Sequence, residues 1–422
     1  MKLNKINKTL LQNFTSLSIL NLANYLFPMI TLPYLVRVLG PEKYGLVNFA
    51  AAFVGYFGIL TDYGFNLSAT REISIHRNDK EKLIQIYNSV LSVKFILFLL
   101  STTILSIILI TIPFFAKNYL VYLLSFGTVF GSVLFPIWFF QGMENMKYIT
   151  ILNIIFRSIA TIFIFILITQ PAHFHTLILI NSMSIISIGI AATLLIFFIF
   201  KIPFRAPSKS EILFQFKEGW SLFISSFAIS LYTISNTFIL GLFADLRIVG
   251  YFSAADKIRA AFQGLFSTIS QTVYPHFANT FNKSVKHGLS LAKKILRYVG
   301  FASFIVSLLL FIFASEVVTI ILGKEYVESV LVLKIISWLI FLVALSNISG
   351  IQVMLNLSFK KAFSQIIIVG AIINIVLSFV LVPLIFEIGS SISVFITESF
   401  VTFAMFLFLS KKEIKLFVGV HG

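Results

Sequence analysis

Residues 32–82, LPYLVRVLGPEKYGLVNFAAAFVGYFGILTDYGFNLSATREISIHRNDKEK, decide the fold class of this chain. They run from one apolar segment through Gly40-Pro41 into a second, and end in a basic region that contains Arg71. The second segment carries Asp62. A carboxylate inside an apolar span costs about 2.5–3.5 kcal/mol on insertion scales, so it needs a protein partner or a water-filled cavity. We interpret the stretch as two membrane-spanning helices with a polar surface between or beside them.

The composition of the whole chain agrees with a membrane location. Of its 422 residues, 58% are hydrophobic and only 11% are charged, which is too little polar surface to coat a soluble globule of this size. The chain has no cysteine, so it contains no disulfide and no thiolate metal site. The net charge of +16 is spread over short basic clusters between apolar segments, a pattern that indicates topology and not nucleic-acid binding.

The apolar segments predict an all-α integral membrane protein, because a helix needs about 20 apolar residues to cross the hydrocarbon core. We predict about 12 transmembrane helices, at residues 14–39, 44–69, 83–112, 119–141, 148–169, 174–200, 212–243, 249–277, 292–314, 327–354, 362–386 and 389–410. The loops between them are too short to hold a catalytic domain.

The distribution of basic residues predicts the orientation. The two tails and the even-numbered loops contain 22 Lys and Arg, the opposite face contains 6, and the remaining 4 lie inside spans. Because Lys and Arg concentrate on the cytoplasmic side, we expect both termini in the cytoplasm.

An internal repeat is visible at an offset of about 205 residues. GPEKYGLVNFAAAF near Gly40 corresponds to GLFADLRIVGYFSAADKI near Gly241, with Gly45 falling on Gly250. Six spans separate the copies, so they would be parallel repeats related by an axis along the membrane normal. Chance similarity in a chain rich in Ile, Phe and Ala is the alternative. We predict two six-helix lobes, 1–205 and 206–422.

Polar residues fall on single faces of several spans. The second span carries Asn48, Asp62 and Asn66 on one face, and the eighth carries Asp256, Arg259 and Gln263. The first span adds Asn24 and the seventh adds Asn236. Amide side chains in spans often serve packing between helices, whereas charged ones favour a water-filled cavity.

Two more cations lie inside spans. Arg157 shares a face of the fifth span with Asn153, and it can bind the phosphate oxygens of an anionic ligand, pair with a carboxylate such as Asp62, or extend to the interface. Lys94 lies nearer the cytoplasmic end of its span, which favours extension to the interface.

The chain contains no nucleotide-binding GxxxxGK[ST], no HExxH and no GxSxG motif. We therefore expect no catalytic residues, no metal site, no resident cofactor and no enzymatic activity.

The run from Tyr34 to Ser74 resembles the opening of Wzx-type O-antigen and capsule repeat-unit flippases. These are members of the multidrug and oligosaccharide-lipid exporter superfamily. The resemblance continues in WFFQGMENMKYI at Trp138, in GYFSAADKI at Gly250 and in Tyr274-Pro275, and it covers essentially the whole chain.

This resemblance implies a MATE-like fold, with two six-helix lobes around a central cavity that opens alternately to each side of the bacterial inner membrane. It implies an undecaprenyl-diphosphate-linked oligosaccharide as substrate, moved from the cytoplasmic to the periplasmic leaflet, with H+ or Na+ as a coupling ion. Membrane lipids, and the polysaccharide polymerase and chain-length regulator of the same pathway, are the implied partners. A MATE-like multidrug/cation antiporter and an integral-membrane polymerase or glycosyltransferase are the alternatives.

Overall fold

The computed structural model describes residues 2–414 and 416, and this part of the chain contains helices and no strand. The α-helices are α1 (Lys2–Asp62), α2 (Phe65–Ile75), α3 (Lys80–Thr111), α4 (Pro113–Ala116), α5 (Tyr119–Leu134), α6 (Ile137–Gly142), α7 (Met146–Leu167), α8 (Phe174–Phe198), α9 (Lys209–Phe243), α10 (Leu246–Lys283), α11 (Val285–Ile312), α12 (Ala314–Ile321), α13 (Ser329–Ser346) and α14 (Lys360–Lys411). A π-helix, Asn347–Met354, extends α13, and short 3-10 turns lie at Pro171–His173 and Lys324–Tyr326.

The predicted turn at Gly40-Pro41 is confirmed. Gly40 has a φ of 69° and interrupts α1, so that two helices meet at this residue. A positive φ costs little only for glycine, and the following proline fits the first turn of a new helix, because that turn needs no backbone N–H donor.

The expectation of one unbroken helix over 44–69 is wrong. The helix ends at Asp62, Tyr63 and Gly64 take φ values of 45° and 76°, and α2 begins at Phe65. The hydropathy of the segment continues across this break, so apolar content alone did not mark it. Gly64 was the local signal, since it allows the left-handed conformation.

The other predicted spans are helical over most of their length. The break predicted between the last two spans is present at Ile385 and Phe386 within α14. By length and composition, eight helical segments of the described chain can cross a membrane, and the longest, Thr15–Ile75 with its break at Tyr63 and Gly64 and Lys360–Lys411 with its break at Ile385 and Phe386, have 61 and 52 residues. The count of twelve spans stays a prediction.

The chain forms two compact units. Unit 1 comprises Met1–Ala23 and Val47–Ser230, and unit 2 comprises Asn24–Leu46 and Leu231–Gly422. The lobe boundary between residues 205 and 206 stays a prediction.

Each unit has its own hydrophobic core. In unit 1, Trp138, Phe139 and Phe140 of α6 are fully buried among α2, α3 and α8. In unit 2, Phe277 of α10 and Met405 of α14 are buried in a cluster that includes the π-helix. Many large apolar side chains outside these cores are exposed, as expected for surfaces that face lipid.

Two glycines of unit 2 make reciprocal close contacts. A side chain at Gly45 would overlap the backbone oxygen of Leu246, and one at Gly250 would overlap that of Pro41. The repeat offset places Pro41 on Leu246 and Gly45 on Gly250, so the two contacts are images of each other. Chance similarity does not account for such reciprocity, whereas a two-fold relation between parallel repeats requires it.

We expect Gly45→Ala to lower the melting temperature of the detergent-solubilised protein, because overpacking a close helix contact costs about 1–3 kcal/mol. Gly58→Ala is the matched control, since a methyl group there meets no atom within 4 Å. In that helix, alanine is favoured over glycine by roughly 0.5–1 kcal/mol. Equal melting temperatures of the two variants in a thermal-shift measurement would contradict the contact.

Candidate functional site

An ion pair between a buried lysine and a partly exposed aspartate lies in unit 1 where α1 ends. The Nζ of Lys94, on α3, lies 3.3 Å from Oδ1 of Asp62 and donates a hydrogen bond of 3.0 Å to the carbonyl oxygen of Ser132. Asn66 of α2 donates to the second carboxylate oxygen of Asp62 at 2.5 Å. Asp62, Lys94 and Asn66, all predicted as site residues, are therefore in one cluster.

The two partners of this pair differ in exposure. The Lys94 side chain is 2% exposed and that of Asp62 is 40% exposed. Our expectation that Lys94 extends to the membrane interface is wrong, because a carboxylate and a carbonyl oxygen satisfy its ammonium group inside the unit. The distance between Asp62 and Lys94 in sequence gave no sign of this pairing.

A cavity of about 240 Å³ lies beside the pair, between α1, α5 and α8. Small residues of α1, Gly55 and Gly58, form one wall, and the polar residues Ser132 and Asn181 form others. Ser132 thus lines the cavity while its carbonyl oxygen holds Lys94. The lining is mainly apolar with a few polar side chains, and the Lys94 ammonium lies behind Ser132.

The second cluster lies on α10 in unit 2. Nε of Arg259 donates to Oδ1 of Asp256 at 2.7 Å, and its Nη1 donates to Oε1 of Gln263. The spacing of three and four residues places these side chains on one helix face, as the sequence predicted. The pair is only partly buried, so water and small polar groups reach it.

All three α10 residues line a cavity of about 230 Å³ together with Asn236 of α9. Ser378 of α14 donates a hydrogen bond of 3.2 Å to the amide oxygen of Asn236 and so fixes its orientation. The cavity contains one more carboxylate, Glu398 of α14, which is 8% exposed. It therefore offers acidic, basic and amide groups within an apolar bundle.

Sequence reasoning missed Glu398. A signal was available, because this glutamate lies in the middle of the predicted span 389–410, and the argument applied to Asp62 holds for it equally. Its position opposite Asp256 and Arg259 could not be read from the sequence.

The remaining predicted site residues are placed outside these two clusters. Asn153 is buried and donates to the Ile149 carbonyl of its own helix at 2.8 Å, which is a packing role. Arg157 is half-buried one turn further along α7. Asn24 and Asn48 are half-buried on α1, in unit 2 and unit 1 respectively. Their part in a site stays a prediction.

The sequence matches the model of a known family over residues 10–281, which is more than half of the chain. The chain belongs to the family described as "Polysaccharide biosynthesis protein". It is 34% identical to the "Putative O-antigen transporter" of Escherichia coli (strain K12) over 98% of this chain and 99% of that one. It is 32% identical to a protein of the same name from Shigella dysenteriae, over 93% and 98% of the two chains.

The fold of this family member is that of the MATE transporters. An inward-facing multidrug-resistance MATE transporter of the MOP superfamily superposes with a TM-score of 0.68 at 13% identity, over 92% of this chain and 97% of that one. An outward-facing structure of such a transporter gives 0.62 at 14% identity, over 96% and 95%. The long apolar helices and this fold make the chain a multi-pass membrane protein.

We expect Asp62→Asn to destabilise the protein more than Lys94→Met. Asparagine leaves the buried Lys94 ammonium without its counter-charge, which costs less than the roughly 3–5 kcal/mol of a fully buried pair because Asp62 is partly exposed. Methionine removes the buried charge, and the carboxylate that remains is partly in water.

Melting temperatures of the purified variants test this order. Lys43→Met is the control, because it removes an exposed pair with Glu42 that contributes little. If Lys94→Met proves the less stable of the two, Lys94 does not depend on Asp62 for its burial.

Proposed function

We propose that the protein is a flippase that moves an undecaprenyl-diphosphate-linked oligosaccharide, a repeat unit of O-antigen or a similar surface polysaccharide, across the bacterial inner membrane by alternating access. Export runs from the cytoplasmic to the periplasmic leaflet. Both termini lie in the cytoplasm.

The observation that carries this proposal is the near full-length likeness to proteins named as O-antigen transporters, in a chain whose helices surround charged cavities. A glycan needs a hydrated passage and a diphosphate needs cations, whereas a polyprenyl tail can remain in lipid. The polar cavity around Asp256 and Arg259 meets the first two needs. The exposed apolar exterior meets the third.

Arg259 is the group best placed to meet a phosphate in unit 2. Its recorded hydrogen bonds use Nε and Nη1, and the guanidinium fork can present its other N–H groups to phosphate oxygens. Asp256 holds the fork in one orientation before a ligand arrives. In unit 1, Asp62 neutralises Lys94, so an anion there would have to compete with a carboxylate.

We propose that H+ or Na+ drives the cycle through the carboxylates of the unit 2 cavity. Protonation of Asp256 or Glu398, or a sodium ion between them, changes how strongly Arg259 is held and hence how strongly it binds an anion. No resident cofactor is needed for such a cycle.

The pathway suggests two protein partners. A flipped repeat unit is consumed by polymerisation, so we propose contacts with the polysaccharide polymerase and the chain-length regulator of the same pathway, besides membrane lipids.

Deletion and complementation in the native host test the proposal. We expect the deletion strain to lose surface glycan and to accumulate lipid-linked single repeats on the cytoplasmic side, and the intact gene to restore export. Normal glycan with increased drug sensitivity would instead support a MATE-like multidrug/cation antiporter.

We expect Arg259→Lys to reduce glycan export in this complementation assay by about tenfold, the effect of one charge-assisted hydrogen bond, because an ammonium cannot reproduce the planar fork. Arg247→Lys is the matched control, since Arg247 is an exposed arginine of the same helix. Immunoblots of membrane fractions establish equal insertion. Full export by the Arg259→Lys variant would show that the Arg259 guanidinium does not bind the substrate during transport.

If a proton gradient drives transport through Glu398, we expect translocation by the Glu398→Gln variant in inverted membrane vesicles to be unchanged when that gradient is collapsed. Wild type and Glu413→Gln, an exposed glutamate that follows α14, should slow when a protonophore is added. A Glu398→Gln variant that still responds to the protonophore would exclude this carboxylate as the coupling group.

A further inference from the structure

Unit 1 has a second cavity, which contains none of the residues of the two charged clusters. It measures about 320 Å³ and lies where the C-terminal end of α2 meets the N-terminal ends of α3 and α9. Its polar lining includes Glu72, Gln85 and Gln215. We call it the α2–α3–α9 cavity.

This cavity lies on the side from which the substrate would load. The helix ends that line it adjoin the basic segments 71–82 and 201–217, which the distribution of basic residues predicts to be cytoplasmic. The structure brings these segments together, since Arg205 pairs with Glu81 at 3.4 Å and Asn88 donates to the Pro203 carbonyl at 3.0 Å.

A buried, hydrogen-bonded amide side chain lines the cavity. Gln215 is 2% exposed and donates a hydrogen bond of 2.9 Å to Oε2 of Glu72. Its own Oε1 is buried and has no hydrogen-bond partner among the described residues. A buried amide oxygen without a donor costs free energy, so the site gains from a ligand or water that supplies one.

The surroundings disfavour a phosphate. Both helix N-termini are already capped, α3 by Asp79, which accepts from the Lys82 backbone, and α9 by Ser208 with Glu211. The carboxylates of Glu72 and Glu211 would repel an anion. The lining also contains His76 and Lys82, whose ammonium donates to Oε1 of Gln85 at 3.0 Å, so the two carboxylates outnumber the one ammonium.

The same groups suit a polyhydroxyl ligand. The carboxylate of Glu72 and the Gln215 oxygen accept hydrogen bonds, and the Gln85 amide nitrogen donates them. Phe214 and Ile86 line the cavity as well and supply apolar surface for the C–H face of a sugar ring. The volume is at the lower end of the range for small-molecule pockets, about 300–1,000 Å³.

We propose that the α2–α3–α9 cavity binds a neutral sugar residue of the glycan through hydrogen bonds to its hydroxyl groups. The cavity then selects the glycan at the cytoplasmic mouth of unit 1, while cations elsewhere bind the diphosphate. This inference rests on the proposed function.

The test uses the full-length protein in lipid nanodiscs. The probe is the repeat-unit oligosaccharide released from the host's own surface polysaccharide, free of lipid and phosphate, and saturation-transfer NMR measures its affinity. We expect Glu72→Gln and Gln85→Ala each to weaken binding by about fivefold to tenfold, the effect of one hydrogen bond to a charged or amide group. Glu413→Gln, at an exposed glutamate outside the cavity lining, should bind as wild type does.

Glu72→Gln keeps an oxygen that accepts from Gln215, and size-exclusion profiles matching wild type establish that the variants fold. Affinities equal to that of wild type in both cavity variants would overturn the proposal, and so would displacement of the oligosaccharide by inorganic pyrophosphate, which would indicate an anion site.

The complementation assay separates the two proposals. If wild type restores export while the cavity variants bind sugar normally, the flippase proposal stands and the sugar site does not. If wild type fails to restore export, the proposed function fails whatever the cavity binds.

Discussion

The cost of a charge inside an apolar bundle explains how the buried charged groups of the described chain are paired. Lys94 is an ammonium group buried in unit 1, and it is tolerated because Asp62 and the Ser132 carbonyl surround it. The geometry of α1 makes this possible, since the helix ends at Asp62 and turns through Gly64 before α2 begins. Asn66, four residues beyond Asp62 and past this break, donates to the other oxygen of the carboxylate.

The two units compensate the cost of a charge in an apolar bundle in different ways. In unit 2, Asp256 and Arg259 are one turn apart on α10, so their pairing needs only the helix itself. In unit 1, Asp62 and Lys94 come from different helices, and their pairing depends on how α3 packs against the end of α1. A small shift of α3 would break the pair in unit 1, while the pair in unit 2 would move as one body. The unit 1 pair is therefore more sensitive to conformational change than the unit 2 pair. The unit 2 pair keeps its geometry and is better suited to contact a ligand.

Much of the fold could be predicted from hydropathy, glycine and proline. The break at Gly40-Pro41 and the interruption near Phe386 follow from local sequence, and the repeat predicted the correspondence of Gly45 with Gly250 that the reciprocal contacts support. The site was predictable where partners share a helix face, as Asp256, Arg259 and Gln263 do. It was not predictable where partners lie on different helices, because side-chain periodicity carries no information about which helices are neighbours. Lys94 shows this limit, since its partner Asp62 lies on another helix and its role was misassigned.

The proposed transport of a lipid-linked glycan would require recognition of three chemically different parts of one molecule, and the described groups of this chain suit these parts differently. Guanidinium and ammonium groups suit the diphosphate, the exposed apolar exterior suits the polyprenyl tail, and the mixed donors and acceptors around Glu72 and Gln215 suit hydroxyl groups. Cations alone would bind every diphosphate-linked glycan equally, since the diphosphate is the same in each. Discrimination between glycans therefore has to come from neutral hydrogen-bonding groups, where a missing or misplaced hydroxyl leaves a buried polar atom unpaired. In the sugar site proposed above, the unpartnered oxygen of Gln215 would be a group of this kind.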